Sequence, residues 1–281
     1  MILGKIISRS MSWIKNFFNS NFKFYFASFS IIIVFTFLVV EIVLRSMYFS
    51  SGVGLGGANQ RWIEKYWTPI NILGYRDYEI LMNDSRPSII FLGDSATAGD
   101  GVKFEETFYY SVRQSLDENY RAINLSRGGA STTQEKHNFL ELISKMNPNI
   151  DTLVFQIHGN DVDDYVELPK LNRNLLRRGL SRGSHLFAFF EQYYLHQTWV
   201  PRYMDTLYSG HQDQNVMTKH LIDINDITST ARKEDSKVIF LAIPFLSDMN
   251  SLERSEIYIS KLSELNRKYG TVIFPAVEVA N

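Results

Sequence analysis

The sequence predicts an α/β fold: a three-layer sandwich with a parallel five-stranded sheet, preceded by one N-terminal transmembrane helix. Three observations lead there. From Ser88 onward, short apolar runs alternate with segments of helical periodicity, as in strands buried on both faces and connected through helices. The first three runs end in loops of small and polar residues. Ahead of them, residues Phe24 to Val40 carry no charge at all.

The N-terminal residues 1–23 place Ile2, Leu3, Ile6, Ile7, Trp13, Ile14, Phe17 and Phe18 at helical spacing, with Lys5, Arg9 and Lys15 between them. This is the pattern of a basic amphipathic helix lying in a membrane interface. Residues 24–45 follow as the transmembrane helix, about 20 residues being the length that crosses a bilayer. Glu41 falls near one interface. Lys5, Arg9, Lys15 and Lys23 precede the span without an acidic residue, which favours a cytoplasmic N-terminus. We therefore expect a single-pass protein of the cell (inner) membrane whose main domain is periplasmic or extracellular. A cleaved signal peptide is the alternative, but the apolar stretch is long and starts late for one.

Residues 46–84 form a linker and lead-in. Ser50–Gly57 is small and glycine-rich, and Trp62, Tyr66 and Trp67 then precede Asn71-Ile-Leu-Gly-Tyr-Arg-Asp77. These aromatics are expected on the domain edge or near lipid headgroups.

The globular domain is expected over 85–281. Ile89–Leu92 is the first strand and runs into Gly93-Asp94-Ser95. Thr107–Tyr120 reads as a helix with Phe108, Val112 and Leu116 on one face, followed by a strand at Ala122–Leu125 and a loop through Ser131. Thr133–Met146 is the next helix, turned inward by Phe139, Ile143 and Met146. Thr152–Ile157 is the third strand and ends in His158-Gly-Asn-Asp161. Lys237–Ile243 and Thr271–Phe274 are the remaining strands, with a helix at Leu252–Tyr269 between them. Residues 162–236 exceed a simple crossover and read as a helical insertion. The insertion carries a basic run (Arg173, Arg177, Arg178, Arg182) and an aromatic stripe from Phe187 to Trp199, and ends in a crossover helix at about Val216–Arg232. The stripe is expected to pack in the core rather than form a sugar platform. Right-handed crossovers and short loops make the whole flavodoxin-like.

Charge is nearly balanced, 29 basic against 30 acidic residues, which gives no reason to expect a nucleic-acid partner. The chain has no cysteine, so thiol catalysis, disulfides and thiolate metal sites are excluded.

Three successive loops would meet at one edge of a parallel sheet: Gly93-Asp94-Ser95, Asn124–Gly129 and Gly159-Asn160-Asp161. A serine there can attack an ester carbonyl if donors stand about 3 Å from the developing oxyanion. The backbone N–H groups of Ser95 and Gly129 and the amide of Asn160 are the candidates, glycine allowing a close backbone approach and positive φ. Such a site calls for no cofactor. Asp161, Asp163 and Asp164 suggest a metal site less readily than a solvated acidic loop.

The ordered set Gly-Asp-Ser, Asn-Leu-Ser-Arg-Gly-Gly, Gly-Asn-Asp resembles three of the four signature blocks of the SGNH (GDSL-type) hydrolase and acyltransferase superfamily, at Ser95, Gly129 and Asn160. The similarity covers about Asn71–Phe274, and Gly74-Tyr-Arg-Asp77 is similar to the lead-in of membrane-anchored bacterial members. The resemblance implies Ser95 as nucleophile, Gly129 and Asn160 as oxyanion-hole donors, and Asp94 as support for the turn. The implied substrate is an ester-linked acyl group, such as O-acetyl on a polysaccharide. Hydrolysis and acyl transfer share the acyl-serine intermediate and both remain open.

The fourth block, Asp-x-x-His, supplies the acid–base pair in the family and occurs nowhere among the six histidines of this sequence. The expectation is a copy truncated before that block, with a C-terminally incomplete sheet layer. The alternative is a catalytically inactive domain that binds a glycan or assembly partner. His158 is the histidine beside the site and the candidate substitute base, its competing role being to pack the loop.

Overall fold

A computed structural model describes residues 2–47, 56–80, 84–171, 174–232, 235–243, 267 and 272–275. The strands β1 (Ser88–Leu92), β2 (Arg121–Asn124), β3 (Ile150–His158), β4 (Lys237–Ile243) and β5 (Val272–Pro275) form one sheet in the order β2-β1-β3-β4-β5. Every pairing is parallel, with Phe91 opposite both Asn124 and Val154. This is the flavodoxin-like order. The chain leaves β1 first for β2 and then crosses to β3, so the β1/β3 boundary is where the winding reverses, the position at which open α/β sheets bind ligands.

Strand alternation gives the sheet two apolar faces. On one, Ile90, Leu92, Ile123, Leu153, Phe155 and Phe240 pack against Phe139 and Leu142 of α5 (Thr132–Met146) and Ile224 and Ile227 of α9 (Gln214–Arg232). On the other, Ile89, Phe91, Ala122 and Val154 meet Phe104 and the aromatic start of α4 (Phe108–Ser115). Each fully buried Ile, Leu or Phe here contributes about 2 kcal/mol.

Helix α4 is shorter than its periodicity predicts, and its inward face is displaced. Thr107 caps it by accepting from the Tyr110 amide at 3.1 Å, Leu116 is already extended, and Val112 is exposed. Tyr109 is fully buried instead, because its hydroxyl donates to Asp77 Oδ2 at 2.6 Å. A phenol enters a core readily once its hydroxyl has a partner.

That aspartate belongs to the lead-in, which goes further into the domain than an edge packing. After α2 (Gly56–Tyr66), Asn71 Oδ1 accepts from the amides of Leu73 and Tyr75, and Asp77 accepts from the amide of Asn124 and from Arg113. Arg76 is buried to 1% exposure and donates to the carbonyls of Tyr66, Ala98, Gly99 and Val102. Trp62 is buried as well, and the Trp67 ring lies 4.7 Å from the Arg76 guanidinium.

At the N-terminus, a single helix, α1 (Ile2–Ser46), runs through both the basic amphipathic segment and the apolar segment. Its stretch Phe22–Ser46 is long and apolar enough to cross a membrane. The insertion folds as α6 (Leu175–Gly183), α7 (His185–Thr198) and α8 (Val200–Gln212) before α9. Here the expectation of aromatic core packing fails for four rings: Phe189, Phe190, Tyr193 and Tyr194 are exposed, Phe187 and Trp199 are half-buried, and Glu191 and His185 are buried. The acidic loop is likewise less solvated than expected, since Asp161 is fully buried. Most of the Ser50–Gly57 exit, the expected helix Leu252–Tyr269 (Arg267 excepted) and the chain after Pro275 lie outside the described residues.

Candidate active site

Ser95 opens the short helix α3 (Ser95–Ala98) directly after β1 and is half-buried. The local sequence builds this turn residue by residue. Asp94 caps the helix, its Oδ1 accepting from the Ala96 amide at 3.0 Å, and is itself 1% exposed. The Asp94 amide donates to Gln156 Oε1 at 3.0 Å, and the Thr97 hydroxyl donates to the same oxygen at 2.9 Å. Gln156 therefore crosses beneath the turn from β3. It also fixes Gly93, because a Cβ there would lie 2.5 Å from Gln156 Oε1 and 2.8 Å from Gln156 Cβ. No side chain fits between them.

The loop after β2 runs beside this turn. Leu125 donates its amide to Phe91 O at 2.8 Å and Arg127 donates to Gly93 O at 3.2 Å, so the β1–β2 ladder continues past both strand ends. A Cβ on Gly128 would stand 4.0 Å from Ser95 Cβ, which measures how closely the loop approaches the serine. Gly129 adopts φ +73°, in the left-handed region, with nothing within 4 Å of an added Cβ. Glycine is needed there for conformation, not for space. The Ser131 hydroxyl donates to Asp164 and ties this loop to the next one.

Beyond β3, a 3-10 turn, Gly159–Tyr165, carries Asn160. Asp161 Oδ2 accepts from the His158 amide at 2.7 Å. His158 Nδ1 donates to Asn160 Oδ1 at 2.6 Å and stands 3.4 Å from Asp94 Oδ2. With Nδ1 as donor, the neutral tautomer has its lone pair on Nε2. The Asn160 amide is oriented at the same time, since its oxygen is engaged by the imidazole and its NH₂ directed elsewhere. The structure thus joins Asp94, His158 and Asn160 in one cluster and sets the Gly128–Gly129 loop against Ser95.

An acidic layer lies close to this cluster. Glu135, in the first turn of α5, is fully buried, and neither carboxyl oxygen has a hydrogen-bond partner among the described residues. Burial first, and then the charges of Asp161 and Asp94, push its acid well above the ordinary carboxylate range. Asp163 is raised to about 6, mainly by burial and to a lesser extent by Asp164, against the opposing hydrogen bond from the Tyr203 hydroxyl at 2.9 Å.

Sequence reasoning missed Gln156, Glu135 and Arg76. Gln156 left a signal: one polar residue inside the apolar run Leu153-Val-Phe-Gln-Ile157, on the same strand face as His158. Glu135 left none, because an acid in a helix's first turn usually serves the helix dipole in solvent.

No family model matches the chain, and no curated protein matches it. Among solved structures, the chain is similar to TesA, with 14% identity and a TM-score of 0.41 over 66% of this chain and 76% of that one. It is also similar to AlinE4, described as an SGNH-hydrolase family esterase, with 13% identity and a TM-score of 0.41 over 68% and 77%. A psychrotrophic esterase, EstA from Pseudoalteromonas sp., aligns with 12% identity and a TM-score of 0.40 over 68% and 76%.

Proposed function

We propose that this chain is an SGNH-type serine esterase or O-acyltransferase, held by α1 in the cell membrane, with its α/β domain outside the cytoplasm. Its substrate class is ester-linked acyl groups, O-acetyl on a polysaccharide being the preferred case. One observation carries the reading: Gly93-Asp94-Ser95, Gly128-Gly129 and Asn160 lie at the C-terminal ends of three adjacent parallel strands, around the point where the winding reverses.

In this reading Ser95 Oγ attacks the acyl carbonyl carbon and its proton passes to a base. The tetrahedral oxyanion then accepts from the Ser95 and Gly129 amides and the Asn160 NH₂. Collapse expels the sugar alkoxide, which takes up the proton, and leaves an acyl-serine. Water or a second hydroxyl resolves this intermediate, giving hydrolysis or transfer. A serine needs such a base near neutral pH. His158 is the base this sequence offers, with Nδ1 held by Asn160 and beside Asp94, and with Nε2 as acceptor.

Turnover of a chromogenic acetyl ester by the full chain in detergent, abolished in Ser95→Ala, is the expected result. Equal turnover by the two proteins would overturn the proposal. A second reading is a non-catalytic domain that binds a glycan. Saturable binding of an acetylated polysaccharide without turnover by either protein would select it.

A further inference from the structure

The helices α6 and α7 bury charged and polar groups, beside Ala188 and Leu195, and expose large apolar ones. Between them lies a polar seam: Arg177 Nε meets Glu191 Oε1 at 2.8 Å, the Ser181 hydroxyl donates to Glu191, and Glu191 is 3% exposed. Outward they present apolar groups. Leu175 is 83% exposed and Leu176 71%, and on α7 Phe190 is 57% and Tyr193 64% exposed. Exposed arginines, Arg178 and Arg182, border this surface. A helix with aromatics outside and its acid inside is not made for water alone.

The surface has a fixed address. Glu41 of α1 accepts from the Ser184 hydroxyl and from the amides of His185 and Leu186, all at 2.9 Å, and so caps α7. Arg45 Nη2 donates to Gly183 O at 2.6 Å, at the end of α6. At 1.5 Å per residue, Glu41 stands about 27 Å and Arg45 about 33 Å along the helix from Lys23. A hydrocarbon core is about 30 Å thick, so these contacts fall where the helix leaves it.

Resting on the reading of α1 as a membrane anchor, we infer that the α6–α7 hairpin lies in the lipid–water interface. Its Leu and Phe side chains enter the acyl boundary, and Arg178 and Arg182 meet anionic headgroups. Lipid is favoured over the other occupants by the surface itself. The leucines offer no face for stacking on a sugar, and a second copy would set arginine against arginine. A cleft lined by Lys170, Arg177, Arg202, Tyr194 and Trp199 continues the same cationic and aromatic chemistry along α7. The anchor would then orient the domain as well as tether it.

Because the chain has no cysteine, single labels are clean. The fluorophore NBD is attached at Phe190→Cys, at Phe35→Cys in mid-helix and at Asp117→Cys on an exposed turn. Each full-length protein is reconstituted in phosphatidylcholine vesicles with a minority of phosphatidylglycerol, with and without spin-labelled lipids. Loss of fluorescence at Phe35 with a deep label and at Phe190 with a shallow label, with none at Asp117, is the expected result. Quenching at Phe35 with none at Phe190 overturns the inference and leaves the anchor standing. No quenching at Phe35 removes the anchor and the inference with it. A Phe190 signal that shifts to the blue only as protein density rises, without quenching, overturns the inference in favour of a second copy. Protection of an unquenched Phe190 by a soluble acetylated glycan overturns it in favour of a sugar surface.

Discussion

Replacing Glu135 by glutamine should stabilise the protein by an amount that grows with pH. Glu135 is fully buried beside Asp94 and Asp161, without a hydrogen-bond partner for either oxygen among the described residues, so the fold holds its carboxyl protonated. In the unfolded chain the same group ionises near its ordinary value of about 4.3. Between these limits the folded state binds the extra proton. Its stability therefore falls as pH rises, by about 1.4 kcal/mol per pH unit. Glutamine has the shape of the neutral acid and no proton to hold. The difference between the two proteins should be small below the ordinary carboxylate range. Above that range it should widen with every step in pH until the carboxyl ionises in the folded protein as well. Urea unfolding of the full chain in detergent, followed by tryptophan fluorescence at several pH values, reads the difference directly, and other titrating groups cancel between the variants. A difference independent of pH would refute the argument, because it would mean that Glu135 ionises alike in both states.

Gly93→Ala should cost about 3 kcal/mol in the same assay, since its Cβ would overlap Gln156 and displace the acceptor of the Asp94 amide. A loss under about 1 kcal/mol would show that the turn can shift. Arg76→Ala should lose at least about 3 kcal/mol, because four carbonyls are left without a charged donor; Arg76→Lys should recover only part of this, lacking the fork. Full recovery by lysine would contradict the bidentate account. In ester turnover, His158→Ala should lower kcat by at least about 100-fold. Unchanged kcat would remove His158 from both the base and the orienting role.

The parallel sheet and its strand ends were legible because buried strands write themselves as apolar runs and β-edge loops as small residues. The run Lys237–Ile243 matches its observed strand, and the run Ile89–Leu92 falls one residue short of β1. Misreadings arose where a polar partner overrode hydrophobicity. Tyr109 displaced Val112 from the core because Asp77, 32 residues away in sequence, takes its hydroxyl. Periodicity carries no record of such a partner. The aromatic stripe of α7 was misread for the converse reason: Arg177 and Ser181 fill the inside of that helix with bonds to Glu191 and leave the rings outside. The candidate site residues Ser95, Gly129 and Asn160 stand out in the sequence by motif. The cross-strand supports, Gln156 under the turn and Arg76 beneath the loop beyond it, exist only once the chain is folded.

Ser95 as a nucleophile beside oxyanion donors is what the proposed function requires above all. Treating the full chain in detergent with a fluorophosphonate and mapping the adduct by peptide mass spectrometry tests it most directly. A single phosphonylated serine at Ser95, absent after Ser95→Ala and weakened by His158→Ala, is the expected result. A folded protein that remains unlabelled, or that is labelled equally without Ser95, would contradict it.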